Sequence, residues 1–324
     1  MTPLRRRRFT ALVLTISTAL LAGACGSDEP AGTPAADGTT KVKIGVIPIV
    51  DVAPVYLGLK QGFFAAEGLD ITLETAQGGA AIVPGVVSGQ YQFGFSNTTS
   101  LLLATSKGLP LKAVASGVAS TGQPGKDFGG VIVPTGSAIK TAADLAGKRI
   151  AVNTLKNINT TTINKVVRDA GGDPSTIRYV ELAFPDIAAA LAKGDVDAGQ
   201  VVEPFLTIAT GQGNRQVVSN YAGTDPDLTV AMYFTSKQYL ADNPKVVSGF
   251  AAAMTKSMEY AGAHPDEARA TLTTYTKIDP AVQQSLVLPR WPATVDRDSV
   301  QLLADLAVQD KLITQQPDLG ALLP

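Results

Sequence analysis

The chain has 324 residues, 45% of them hydrophobic, with 27 basic side chains against 28 acidic ones and a formal net charge of −1. Charge this balanced leaves no basic footprint for nucleic acid. A single histidine and a single cysteine exclude an intramolecular disulfide and any Cys/His metal cluster.

The first 25 residues read as an export signal. Arg5, Arg6, Arg7 and Arg8 form a basic n-region, an apolar run covers 9–21, and Ala22, Gly23 and Ala24 precede Cys25. The run falls short of the roughly 20 apolar residues that a permanent membrane helix needs and has the organisation of a signal peptide. The stretch Leu21-Ala22-Gly23-Ala24-Cys25 resembles a bacterial lipobox, with Ala22 where Leu is commonest. That resemblance implies lipidation of Cys25 and an anchor on the extracytoplasmic face of the cell membrane. Cleavage by an ordinary signal peptidase, leaving a free thiol, is the alternative. Arg6-Arg7-Arg8-Phe9 also resembles a twin-arginine signal, so both export routes stay open. Residues 26–40 hold no large apolar side chain, cannot offset the entropy of ordering, and read as a flexible tether. Losing the signal's arginines leaves the remainder several units more acidic. No second long apolar run follows.

From residue 41 the chain is long enough for two domains. Residues 41–48 alternate and are rich in β-branched side chains, which predicts a strand. A helix is expected over 53–66, stopped by Gly68. A strand over 69–74, a helix over 79–88 and a strand over 91–95 come next. A helix over 99–107 and a strand over 111–116 complete the first series. Residues 117–130 are glycine-rich and mark a crossing segment. A second series runs through strands at 131–133, 148–152, 177–181, 196–200 and 215–219, with helices at 141–147, 160–170, 186–193 and 204–210 between them. Residues 228–234 read as a strand returning to the first domain. Helices at 244–263, 265–275, 280–286 and 299–311 form the tail, with prolines at several helix starts. Alternating strands and helices imply an α/β class with largely parallel sheets. The expected division is 41–128 plus 232–324 for lobe one and 129–231 for lobe two.

Several ordered motifs carry a family resemblance. They are Ala53-Pro54-Val55-Tyr56 with Gly62-Phe63-Phe64 and Glu67-Gly68-Leu69-Asp70; Ser88-Gly89-Gln90-Tyr91; Asp144 through Asn153; and Phe184-Pro185-Asp186, Gly194-Asp195-Val196-Asp197 and Glu203-Pro204-Phe205. Together they resemble the nitrate/sulfonate/taurine class of solute-binding lipoproteins of ABC transporters (SsuA/THI5-like, NMT1-like). The resemblance implies a type II periplasmic-binding-protein fold, two lobes with a central cleft and two crossing segments. It also implies capture of a small polar organic solute, sulfonate/taurine-like or pyrimidine/heterocycle-like, by a monomer that serves a permease and an ATPase.

Candidate ligand contacts lie where strands end and helices begin, because open α/β sheets bind ligands beyond their carboxyl ends. Ser96, Asn97, Thr98 and Thr99 occupy such a place in the first series; Asn157, Asn159 and Thr160 occupy it in the second. Their side chains and the helix-start N–H groups favour an acceptor-rich group, though the same residue types are the preferred helix caps. Asp51 and Glu203 add two carboxylates that repel a simple anion and attract an amine or ring N–H. Each stands where it would equally cap a helix. A taurine-like zwitterion or a neutral heterocycle therefore fits better than nitrate.

No Gly-x-Ser-x-Gly elbow, Walker loop or dinucleotide fingerprint occurs, and no cofactor, metal or catalytic residue is expected. Carboxylate-only catalysis stays open. An exported lipoprotein enzyme and a ligand-sensing subunit on the same fold are thus the alternatives.

Overall fold

The computed structural model describes residues 38–324. The signal segment, Cys25 and the tether as far as residue 37 lie outside the described residues. Thr40, expected at the tether's end, already opens the first strand, with its N–H on Gly68 O at 2.8 Å.

The strands in chain order are β1 (Thr40–Val46), β2 (Leu69–Thr75), β3 (Phe93–Asn97), β4 (Leu111–Ala119), β5 (Gly129–Pro134), β6 (Arg149–Val152), β7 (Arg178–Glu181), β8 (Ala198–Val202), β9 (Asn214–Val218) and β10 (Thr229–Ser236). They form two five-stranded sheets, β2-β1-β3-β10-β4 and β7-β6-β8-β5-β9. Both are mixed rather than largely parallel. β1 pairs in parallel with β2 and β3, and β6 with β7 and β8. β10 runs antiparallel to β3 and β4, and β5 antiparallel to β8 and β9. A parallel neighbour requires a long crossover connection. β5 and β10 instead enter their sheets straight from the opposite one, so they run against their neighbours.

The chain passes between the sheets through 120–128 and again through 219–228. The first passage is shorter than the glycine-rich stretch suggests. Gly117 belongs to β4, where a Cβ would come within 2.6 Å of Ala231 O, so its glycine serves close strand approach. Residues 229–231, expected in lobe two, belong to β10 and the first sheet. Buried Asp127 ties the passages together, accepting from Ser120 Oγ (2.8 Å), Thr121 N (3.0 Å) and Phe128 N (3.0 Å) of the first and Ala222 N (2.9 Å) of the second.

Helices cover the sheets. The helix expected over 53–66 is two, Ala53–Lys60 and Phe63–Ala66, because Gly62 between them takes φ +74°, a left-handed turn that glycine favours. The twenty-residue helix Pro244–Ala263 packs on the first sheet, with Phe250 stacked on Phe93 at 3.8 Å. In the second lobe Val131, Val133, Ile150, Val152, Ile163 and Val167 form a separate apolar cluster. Among the described residues no helix is long and apolar enough to cross a membrane.

Candidate functional site

Beyond the carboxyl end of β1 the chain makes a short 3-10 turn, Val50–Val52. Three bonds from distant segments fix its backbone: Val50 N–H to Glu203 O (3.0 Å), Tyr275 OH to Ile49 O (3.1 Å) and Trp291 Nε1–H to Asp51 O (3.0 Å). The turn presents Asp51, whose side chain caps no helix. It is 3% exposed, and its Oδ1 has no hydrogen-bond partner among the described residues. Burial raises its carboxyl to about 7; the residue's own backbone N–H opposes the rise and the nearby Asp127 charge adds to it.

Asn97 ends β3 and N-caps the helix Thr98–Ser106, its Oδ1 accepting from Ser100 N at 2.9 Å. The same Oδ1 accepts from Ile158 N of the second lobe at 3.3 Å. Asn157 caps the helix Ile158–Asp169, which starts two residues before the expected 160. Its Oδ1 accepts from Asn159 N (3.0 Å) and Thr160 N (3.4 Å), and Thr160 completes a capping box. Asn153, at the end of β6, accepts from Asn157 Nδ2 (3.0 Å) and Asn159 Nδ2 (2.9 Å) and donates to Gln77 O of the first lobe at 3.4 Å. Tyr221 OH donates to Asn159 Oδ1 at 2.6 Å. The asparagines thus satisfy one another and the first turns of both helices.

These residues wall a cavity of about 30 Å³ between the two sheets. Asp51, Asn97, Asn153, Asn157, Asn159 and Tyr221 supply its polar lining, and Ile47, Phe95 and Phe184 part of its apolar lining. With the lobes in contact, space of that size admits one or two water-sized groups of a ligand head rather than a whole solute.

Of the expected contacts, Asp51, Asn97, Asn157 and Asn159 meet at this cavity, and five do not line it. Ser96 faces the other side of β3 from Phe95 and Asn97, as strand alternation requires, and sits under Gly79, where a Cβ would approach its Oγ to 2.2 Å. Thr98 donates to Thr229 O at 2.6 Å. The buried Thr99 hydroxyl has no partner among the described residues. Thr160 donates back to Asn157 O at 2.9 Å. Glu203 spends its carboxylate on Thr207 N (3.0 Å), Thr207 Oγ1 (2.8 Å) and Val287 N (3.1 Å), so it holds a helix start and the tail. Only its backbone carbonyl touches the Asp51 turn. Asn153, Tyr221 and Phe184 line the cavity without having been expected there. Asn153 directly follows the carboxyl end of β6 and was findable on that ground; Tyr221 sits in the second passage, where no local pattern marks it. Among the described residues no group of three His, Cys, Asp or Glu side chains gathers as a metal site requires.

The model of the NMT1/THI5-like family matches residues 49–268, a span that takes in the Asp51 turn, both asparagine caps and both passages. The chain belongs to this family. A formylaminopyrimidine-binding protein of Halalkalibacterium halodurans is 24% identical over 225 residues, 68% of this chain and 65% of that protein. The chain therefore spans just under two thirds of that relative's length. A 4-amino-5-hydroxymethyl-2-methylpyrimidine phosphate synthase of Candida albicans is 23% identical over 251 residues, 72% of this chain and 69% of the relative. The alkanesulfonate-binding protein SsuA of Xanthomonas axonopodis pv. citri, solved bound to MOPS, superposes with a TM-score of 0.75 at 22% identity, covering 88% of this chain and 98% of its own. The fold of this NMT1/THI5-like chain is accordingly the two-lobed α/β fold of periplasmic binding proteins.

Proposed function

We propose that this chain is the solute-binding component of an ABC importer, capturing a small polar organic solute between its lobes. It is held on the extracytoplasmic face of the membrane through lipid on Cys25 and, as a monomer, delivers to a permease and an ATPase. The observation that carries the reading is the interlobe cavity, where both lobes contribute strand-end residues around one buried carboxylate with an unmet acceptor. Relatives that bind pyrimidine and sulfonate solutes support it, as does the lipobox-like stretch 21–25.

Native mass spectrometry of the mature protein, followed by a thermal-shift screen of sulfonates, pyrimidines and amines, tests it. A co-purified small molecule, or stabilisation of about 2.7 kcal/mol at a hundredfold excess over Kd, is the expected result. A protein that carries no solute and is shifted by none would overturn it.

A second reading has one observation in its favour. A buried carboxyl titrating near 7 is what general acid–base catalysis needs, and one relative is a synthase. Recovery of a bound solute with its mass unchanged decides for capture.

A further inference from the structure

Among the described residues the cavity's lining contains no lysine or arginine, and Asp51 is its one carboxylate. Lys156, the basic residue nearest to Asn157 in sequence, is exposed and does not line the cavity. The helix starts at Thr98 and Ile158, which would otherwise offer N–H groups to an anion, are closed by Asn97 and Asn157. The amide network takes up Asn153, Asn159 and the donor of Tyr221. Asp127, the neighbouring carboxylate, is saturated by donors from both passages. One buried polar atom of the lining, Asp51 Oδ1, has no partner among the described residues.

We infer that Asp51 makes the cavity selective for a ligand head that is cationic or carries an N–H donor, and against simple anions. This rests on the reading of the cavity as the capture site and names the class captured there: amines, amidines and amino-substituted heterocycles. A donor on Oδ1 makes a charge-assisted bond and removes the penalty of an unmatched buried acceptor. Above about pH 7, where Asp51 is ionised, an anion in the same space meets the carboxylate's repulsion with no cation in the wall to offset it. The selection therefore differs from that of a site built for sulfonate alone.

Matched probes separate the two classes: 4-aminopyrimidine against 4-methylpyrimidine, and taurine against ethanesulfonate, titrated calorimetrically into the native protein and Asp51→Asn. Asn is close in shape to Asp, so with melting curves taken to check that the variant folds, a loss of binding reports the charge. The expected result is binding of the aminated member of at least one pair in preference to its mate, weakened about tenfold to a hundredfold by Asp51→Asn. If the unaminated member binds as tightly as its mate in every pair that binds, if the preference survives in the variant, or if the solute recovered by native mass spectrometry has neither a positive charge nor an N–H donor, the selection by Asp51 is overturned while the capture reading stands. If no probe binds and native mass spectrometry finds no co-purified solute, both are overturned.

Discussion

Replacing Asp51 by Asn should stabilise the ligand-free protein at neutral pH and leave it unchanged in acid. Burial lifts the carboxyl from 3.8 to about 7, so between these values the folded protein keeps a proton that the unfolded chain has released. The folded state then binds more protons, and stability falls as pH rises through that window. Below about pH 4 the carboxyl is protonated in both states and nothing is lost; above about pH 7 the loss is complete. At about 1.4 kcal/mol per pH unit the loss is of order 4 kcal/mol, a large fraction of the roughly 5–15 kcal/mol that holds a typical domain together. Asn cannot ionise, so its curve lacks this slope. Urea denaturation of both proteins, stepped from about pH 4 to pH 8, should show coincident midpoints in acid that separate progressively, the variant ending as the more stable. Parallel pH curves, or a variant that is the weaker protein at pH 8, would refute the argument, since they would mean that Asp51 ionises without penalty.

Two further expectations follow from the packing and a third from the lipobox-like stretch. At Gly78, an extended residue of the first lobe, a Cβ would stand 2.4 Å from Thr154 Oγ1 and 3.3 Å from Asn153 Nδ2 across the cleft. Gly78→Val should therefore hold the lobes apart, weakening capture and enlarging the radius of gyration measured by small-angle scattering with a bound probe; a profile identical to the native one would count against closure. Glu203→Ala should cost about 1–3 kcal/mol in chemical denaturation, because it orphans half-buried donors at Thr207 and Val287, while probe affinity is retained. A loss of affinity without a loss of stability would return Glu203 to the site. Cys25→Ser should release the protein from the membrane fraction with its affinity intact, and unchanged fractionation would place the anchor elsewhere.

The order of strands and helices was legible because hydrophobic periodicity and glycine stops are local. The family motifs extended that reading to a two-lobed fold. The antiparallel placement of β5 and β10 was not legible, since it depends on which sheet the chain comes from. Helix starts were misjudged in an instructive way. The Asn157 capping box begins its helix at Ile158, and Thr160 read as a ligand contact although its hydroxyl turns back onto Asn157 O.

Asp51 and Glu203 show where local reasoning stops. Each is a carboxylate between a strand and a helix. Thr207, four residues on, supplies two partners to Glu203, and tertiary packing supplies the rest of the difference. Val287 reaches Glu203 from the tail and joins Thr207 in satisfying it, whereas Trp291 and Tyr275, from the same tail, bind the backbone of the Asp51 turn and leave its side chain unmatched. The asparagines reverse an expectation for the same reason. Amides at two helix starts suggested a cradle for an acceptor-rich group, but Asn97 takes Ser100 N and Ile158 N while Asn157 takes Asn159 N and Thr160 N. Once the lobes meet, those donors are spoken for within the protein. What stays unmatched in the cavity's wall, among the described residues, is the Asp51 acceptor, so the polarity of the proposed site follows from the contact between lobes that no single stretch of sequence contains.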